Sequence, residues 1–297
     1  MRALATALLA AALLAGCGGD DGETDPGGFD AARAFADLEA QVALGPRPAG
    51  SAANRENVEL IADRLREAGV EDVVIQRPWR NVGGTIPGTE PGTVVVGAHH
   101  DTKDDVGGGF AGANDGASGV AVVLELARTL PRPLPGPSVH VALFDAEEAR
   151  GDRPFELDGT RGSRQYVELA GRGGGQGAPP LDEIRAMVLF DLVGDCELEI
   201  PLEANSAPAL YELFAAAAED RAGSPAPFEG RSGPVGDDHV PFLEAGVPAV
   251  DLIDFTYGPG PSPGAWWHTP EDTLDKVCTE SLDAVGEAAL EAIPAIR

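Results

Sequence analysis

The sequence predicts an α/β fold, a three-layer α/β/α sandwich with a mixed, mainly parallel central sheet. Two observations support this. Apolar runs of strand length alternate with stretches of helix length, which is typical of parallel strands covered by helices. Polar residues also follow the strand ends at several places along the chain. Because open α/β sheets bind their ligands at the carboxyl ends of the strands, we expect these polar side chains to form one site.

Composition and charge narrow the class of protein. The 297 residues fall within the range of a single α/β domain, and 43% of them are hydrophobic, enough for a packed core. The formal net charge of -28 argues against nucleic acid as a partner, since no basic stripe could neutralise phosphates. The same charge favours neutral or cationic substrates.

The first 28 residues predict export. Residues 1–17 hold an arginine and a short apolar run that ends in Leu-Ala-Gly-Cys, which resembles a bacterial lipoprotein box with Cys17 as the lipidated residue. An ordinary cleaved signal is the alternative. Residues 18–28 form an acidic, glycine-rich tether, and residues 29–297 form one folded domain. We expect a lipid-anchored protein of the bacterial cell envelope, on its periplasmic or extracellular face, that meets the membrane through the anchor alone.

The first half of the domain predicts two helices, then strands and a further helix. Pro46 and Pro48 end the first helix, and Ser51 caps the second. The small and β-branched residues 93–98 predict a buried strand, and Asn-Asp-Gly at 114–116 sets a turn before a helix. The predicted helices here are 29–44, 52–68 and 119–130, the strands are 73–75 and 93–98, and the glycine- and proline-rich residues 83–92 form a hairpin connection.

The second half continues the alternation. Residues 131–137 form a proline-rich link to a buried strand at 139–144, which leads into Asp-Ala-Glu-Glu. Two more apolar runs predict strands, the first with Asp191 near its end. The predicted strands are 186–193 and 248–253, the helices are 162–170, 207–222 and 281–293, and the loops are 171–180 and 254–270.

The polar residues after these strands include imidazoles and carboxylates. Each alone has an ordinary structural explanation, such as a hydrogen-bonded core histidine, a helix cap or a solvated loop. Together they form a set suited to zinc, with carboxylates that could bridge two ions. Since the adjacent Glu147 and Glu148 cannot both bind one ion without strain, one is a ligand and the other a free base. The set comprises His99, Asp115, Glu147, Glu148, Asp191 and His268.

These residues resemble the ligand series of the co-catalytic zinc aminopeptidases and of the related glutaminyl-peptide cyclotransferases. The matching motifs are His99-x-Asp101, Gly-Ala-Asn-Asp115-Gly-Ala-Ser-Gly, Glu147-Glu148, Asp191 and Trp-His268-Thr. The resemblance implies a zinc-exopeptidase-like fold. For an aminopeptidase it implies two zinc ions bridged by Asp115. Glu148 and His268 would complete one zinc site, and His99 and Asp191 would complete the other. Glu147 would be the general base, and Asp101 would orient His99.

The cyclotransferases imply one zinc ion, held by Asp115, Glu148 and His268. Glu147, Asp191 and Asp237 then form a proton-handling network. The chain resembles cyclotransferases in His99-His-Asp-Thr-Lys, in Asp237-Asp-His-Val-Pro-Phe, and in Trp267, with Trp266, as a wall of the substrate pocket. It departs from the animal cyclotransferases in Gly-Ala-Ser-Gly after Asp115, in lacking their Trp after Glu148, and in Asp251, where they have histidine.

The sequence therefore predicts a zinc-dependent glutaminyl-peptide cyclotransferase that acts on peptides or proteins with a free N-terminus, preferably Gln. The alternatives are a di-zinc aminopeptidase and, less favoured, a non-catalytic peptide-binding lipoprotein. We expect a monomer. Cys196 and Cys278 could form a disulfide or remain free thiols, and their spacing does not choose between the two.

Overall fold

A computed structural model describes residues 28–219 and 227–297. The predicted signal with Cys17, and the predicted tether up to residue 27, lie outside the described residues. Within the described ranges, no helix is both long enough and apolar enough to cross a membrane.

The described residues alternate between strands and helices, as the sequence pattern predicts. The helices are α1 (Ala31–Val42), α2 (Ala52–Glu67), α3 (Ala117–Thr129), α4 (Phe155–Asp158), α5 (Arg161–Gly171), α6 (Pro208–Glu219), α7 (Val240–Glu244) and α8 (Thr279–Ala292). The strands are β1 (Glu71–Ile75), β2 (Val82–Ile86), β3 (Gly88–His99), β4 (Leu134–Phe144), β5 (Ile184–Asp191) and β6 (Ala249–Ile253).

The strands form one sheet of mixed direction. Among the described residues it has six strands in the order β1-β2-β4-β3-β5-β6. Strands β4, β3, β5 and β6 pair in parallel, whereas β2 runs antiparallel to both of its neighbours. The predicted mixed, mainly parallel sheet is therefore confirmed.

Helices cover both faces of the sheet, as predicted. Alternate residues of β3 point to opposite faces, so Val94 and Val96 join one apolar core and Val95 joins the other. The larger core contains side chains of α1, α2, α3, α6 and α8, and the smaller one contains side chains of α5 and α7. All of β6 and most of β3 and β5 are buried, which explains why these strands read as continuous apolar runs.

Two predicted connections contain strands. Strand β2 overlaps the predicted hairpin connection 83–92 in all but its first residue, β3 begins inside the same connection at Gly88, and β4 begins inside the predicted link 131–137. Glycine lowers the local strand preference of β2, but pairing with β4 from Val82 to Ile86 overrides it. A side chain at Gly83 would meet the Val141 carbonyl at 2.8 Å, so glycine is what this close pairing requires. The short helices α4 and α7 were also not predicted.

Local signals did place several element ends. The Ser51 side chain accepts a hydrogen bond from the Asn54 amide and caps α2, as predicted. Helix α3 begins at Ala117, two residues before the predicted start, after Gly116 with a φ of 97°. Cys196 and Cys278, whose pairing the sequence left open, form a disulfide that ties the loop after β5 to the start of α8.

Candidate active site

The polar residues singled out in the sequence meet at the carboxyl edge of the sheet. His99 and Asp191 are the last residues of β3 and β5. Glu147 and Glu148 follow the end of β4, and Asp115 precedes α3. His268 reaches the same place from the loop after β6. Separate segments thus converge because parallel strands bring their carboxyl ends to one edge.

These side chains form two triads that share Asp115, and all of their members are buried except His268, which is partly exposed. In the first, His99 Nε2 lies 3.2 Å from Asp115 Oδ1 and 3.3 Å from Asp191 Oδ1. In the second, His268 Nε2 lies 2.9 Å from Glu148 Oε1 and 3.3 Å from Asp115 Oδ2. Each triad offers one imidazole nitrogen and two carboxylate oxygens close enough to hold a metal ion.

The donor set fits zinc. Imidazole nitrogen with carboxylate oxygen is a usual ligand combination for this ion, and one aspartate with an oxygen in each triad is the arrangement that bridges two ions. Burial of so many acids also calls for a cation. Burial and the neighbouring Asp115 raise the pKa of Glu148 to about 7, although His268 opposes the shift. A bound cation would remove that cost by pairing with the carboxylates.

Glu147 stands beside the triads without belonging to either. Burial raises the pKa of the Glu147 carboxyl well above its ordinary value, and the charges of Glu148 and Asp237 raise it further. A carboxyl group with a raised pKa can both accept and return a proton near neutral pH. Asp237 is likewise buried, and burial together with Asp191 raises its pKa.

Asp101 holds the backbone of the paired glutamates. Its carboxylate accepts hydrogen bonds from the Glu147 amide at 3.0 Å and the Glu148 amide at 3.4 Å. Its distance to His99 Nδ1 is 3.8 Å, longer than a hydrogen bond. The orienting role expected from the resemblance therefore stays a prediction, and the contact that is present acts on the glutamates.

Asp272, which was not predicted from the sequence, holds the backbone at Asp115 in place. The Asp272 carboxylate accepts hydrogen bonds from the amides of Asn114 at 2.8 Å and Asp115 at 3.1 Å, and from the Tyr257 hydroxyl at 2.7 Å. These bonds fix the turn from which Asp115 projects. The available signal was its position four residues after His268, on the same loop.

Arg47 was also missed. It is fully buried, and its guanidinium donates to the carbonyls of Ala111 and Gly112 in the segment that leads to Asp115. Burial lowers the pKa of Arg47 to about 10, while Asp272, Asp101 and Asp115 favour its charged form. It thus supplies one positive charge beneath an acidic site. Nothing in Gly-Pro-Arg-Pro distinguishes this arginine from an exposed one.

The backbone is strained beside several of these side chains. Ala146, Leu192 and His268 adopt φ values of 58°, 50° and 51°, in the left-handed region that non-glycine residues rarely occupy. Ala146 precedes Glu147, and Leu192 follows Asp191. Such strain clusters at functional sites, where the surrounding structure holds it in place.

A cavity of about 420 Å³ opens onto the site. Glu147, Asp191, Asp237 and His268 line it, and Trp267 stacks on the His268 ring at 3.8 Å between centroids. Trp266 is absent from the lining described for this cavity. It packs edge-on against Tyr257 and faces Lys276, so the expectation that it also walls the pocket is not supported.

Comparison with known proteins places this site in a family. The model of peptidase family M28 matches residues 81–293, which include every residue of both triads. The chain belongs to peptidase family M28. This is a family of zinc-dependent exopeptidases and glutaminyl cyclases, and the resemblance seen in the sequence is confirmed.

Two kinds of known protein are similar to the chain. Glutaminyl-peptide cyclotransferase of Bos taurus is 29% identical, over 81% of this chain and 75% of its own. The glutaminyl cyclase of an Acidobacteriales bacterium has a TM-score of 0.79 and 30% identity, over 92% of this chain and 97% of its own. A leucine aminopeptidase precursor of Bacteroides thetaiotaomicron has a TM-score of 0.75 and 26% identity, over 91% and 98%.

Proposed function

We propose that this M28 protein is a zinc-dependent glutaminyl-peptide cyclotransferase, which converts an N-terminal Gln to pyroglutamate and releases ammonia. One observation carries the proposal most directly. Glu147, Asp191 and Asp237 line one cavity together with Asp115, Glu148 and His268, so a proton-handling group of acids faces a candidate metal triad. The similarity to glutaminyl cyclases over nearly the full chain supports it.

In the proposed reaction Asp115, Glu148 and His268 hold zinc, which when bound supplies the Lewis acid that polarises the side-chain carbonyl of the substrate Gln. Glu147 accepts a proton from the α-amine as its nitrogen attacks the side-chain carbonyl carbon. The same carboxyl then delivers the proton to the amide nitrogen, which leaves as ammonia when its bond to that carbon breaks.

Asp191 and Asp237 act on the protonation of Glu147. The charge of Asp237 raises the pKa of Glu147, so the carboxyl releases its proton less readily than an exposed glutamate does. Closely spaced buried acids share protons in this way. Trp267 lies over His268 and closes one side of the cavity, which limits water that would compete with the amine.

A specific observation favours the second candidate, a di-zinc aminopeptidase. His99, Asp115 and Asp191 form a complete triad of their own, adjacent to the first. If it holds zinc, Asp191 is a ligand and Glu147 deprotonates water instead of an amine. The third candidate, a non-catalytic peptide-binding lipoprotein, has no comparable support, because Glu147 and both triads are intact.

Zinc content and activity, measured on the same purified protein, separate the candidates. One zinc ion at the two triads around Asp115, with ammonia released from a Gln-initiated peptide, is the result that the cyclotransferase predicts. Two zinc ions at these triads, with cleavage of a Leu-initiated amide, would replace it with the aminopeptidase. If the protein had neither bound metal nor activity, this result would contradict both enzymatic assignments.

The proposed substrates are peptides or proteins with a free N-terminal Gln. We propose that the protein acts on them outside the cytoplasm, as a monomer anchored to the membrane through a lipid on Cys17. The acidic charge of the chain repels nucleic acid and leaves neutral and cationic N-termini acceptable.

A further inference from the structure

A third group of metal-ligand side chains lies behind the active site, and neither the proposed reaction nor the two triads around Asp115 use it as a unit. It consists of Asp237, His239 and Asp251, whose ligand atoms lie within 4.8 Å of one another. Asp237 and His239 come from the turn before α7, and Asp251 lies in the middle of β6. His239 and Asp251 have no exposed surface, and Asp237 is 3% exposed.

Except for Asp237 Oδ1, which accepts a hydrogen bond from the Asp238 amide, the side-chain polar atoms of this group lack hydrogen-bond partners. Within residues 28–219 and 227–297, this holds for both ring nitrogens of His239, both carboxylate oxygens of Asp251 and Oδ2 of Asp237. Leaving such groups buried and unsatisfied is costly, and a buried carboxylate is far more costly than a neutral group. Burial and the other acids accordingly raise the pKa of Asp251 well above its ordinary value.

The spacing of these atoms is that of metal ligands. His239 Nδ1 lies 3.6 Å from Asp251 Oδ2, too far for a hydrogen bond. Ligands of a tetrahedral zinc ion, bound at about 2.1 Å, lie about 3.4 Å apart. The triads around Asp115 show separations of 2.9 to 3.3 Å between the same kinds of atom. The distance between His239 Nδ1 and Asp251 Oδ2 is therefore close to the distance between two ligands of one cation.

The Glu203 carboxylate lies near the other ring nitrogen of His239, although it makes no hydrogen bond to it. Its Oε2 lies 3.4 Å from His239 Nε2, on the opposite side of the ring from Asp251. Burial raises the pKa of Glu203, but His239 and the amides of Asn205 and Val235 outweigh this and lower it to about 2, so Glu203 is ionised. An ionised carboxylate at Nε2 favours the tautomer with its proton there and leaves the Nδ1 lone pair for a metal.

We propose that Asp237, His239 and Asp251 bind an additional metal ion, a divalent transition-metal cation with Zn²⁺ the favoured occupant. One nitrogen and two carboxylate oxygens suit Zn²⁺ and, less well, Mn²⁺. Asp237 lines the 420 Å³ cavity, which gives the ion a path from solvent. An occupied site keeps Asp237 ionised beside Glu147 and joins the turn before α7 to β6.

Diffraction at the zinc absorption edge tests the proposal on the wild-type protein. Crystals grown with Zn²⁺ should show an anomalous peak between Asp237, His239 and Asp251, separate from any peak at Asp115. Absence of that peak would overturn the proposal. This result does not depend on any variant folding, and it is independent of ammonia release, so failure of the proposed function leaves it standing.

Zinc content provides the second readout. Asp251→Asn removes one ligand charge and should carry one zinc fewer per chain than the wild type. Asp254→Asn is the matched control, a buried aspartate just beyond the end of β6 that accepts hydrogen bonds from the Glu199 and Thr256 amides, and it should keep the wild-type content. Asp251→His supplies a different ligand and should restore the lost ion. Equal zinc contents in Asp251→Asn and the wild type would contradict the site.

Discussion

At the scale of single residues, only the contacts of their side chains distinguish Glu147 from Glu148. Both are buried and adjacent in the chain, but Glu148 lies 2.9 Å from His268, whereas Glu147 belongs to neither triad. The sequence could predict that a pair of glutamates divides into a ligand and a base. It could not show that Asp101 holds both amides in place, because that contact joins the end of β3 to the end of β4.

Glu147→Gln should lower kcat for ammonia release by about 10²–10⁴-fold, because the amide cannot carry the proton. Zinc content should not change, since Glu147 belongs to neither triad. Glu156→Gln is the matched control, because Glu156 lies on the exposed rim of the same cavity. Steady-state kinetics on a Gln-initiated peptide measures the difference, and near-wild-type kcat in Glu147→Gln would exclude this residue as the base.

Replacement of the two adjacent tryptophans should separate their roles. Trp267→Leu should raise KM for a Gln-initiated peptide by about tenfold. The aromatic side chain lines the cavity, and its contact with the substrate contributes roughly 1–2 kcal/mol of binding free energy. Trp266→Leu should leave KM near the wild-type value, because Trp266 packs against Tyr257. Similar KM increases in the two variants would show that Trp266 also contacts substrate.

At the scale of elements, the strands that end at the site were the easiest to predict. Strands β3, β5 and β6 are buried along most of their length, so their buried segments are mostly apolar. Strand β2 was missed because its glycines carry no strand signal, and its conformation comes from pairing with β4. The positions of Arg47 and Asp272 were unpredictable for the same reason, since each depends on contacts with distant segments.

The disulfide joins two elements near the site, and its loss should lower stability. Cys196→Ser combined with Cys278→Ser opens a link across 82 residues and should reduce the free energy of unfolding by about 2–5 kcal/mol. Urea unfolding of the double variant and the wild type measures this loss. Adding a reductant is the internal control, because it should destabilise the wild type and not the variant. Equal stability without reductant would mean that the bond contributes nothing.

At the scale of the whole molecule, the fold concentrates acids at one sheet edge, and we expect a bound cation to offset their charge. The chain has 49 Asp and Glu residues against 21 Lys and Arg, and the described active site has one buried arginine, Arg47, beneath it. The fold class could be predicted from the sequence because alternation and burial are properties of whole segments. The third metal-ligand group could not, because Asp237, His239 and Asp251 become neighbours through the packing of α7 beside β6.

Metal removal should therefore destabilise the entire domain. Treatment with a chelator should lower the melting temperature by about 5–10 °C, because the ion binds the folded state and the carboxylates repel one another without it. Zn²⁺ should restore the melting temperature and Mg²⁺ should not, since imidazole ligands disfavour Mg²⁺. Calorimetry on the purified protein measures both. An unchanged melting temperature after verified removal of metal would contradict this role.

We expect the active site to join the α-amine of Gln to the carbonyl carbon of its own side chain and not to admit water to the peptide bond. The most direct measurement is mass spectrometry of a Gln-initiated and a Leu-initiated peptide incubated together with the zinc-loaded protein. We predict that the Gln peptide loses one ammonia while the Leu peptide stays intact. Release of free leucine, with the Gln peptide uncyclised, would contradict the claim and identify the protein as an aminopeptidase.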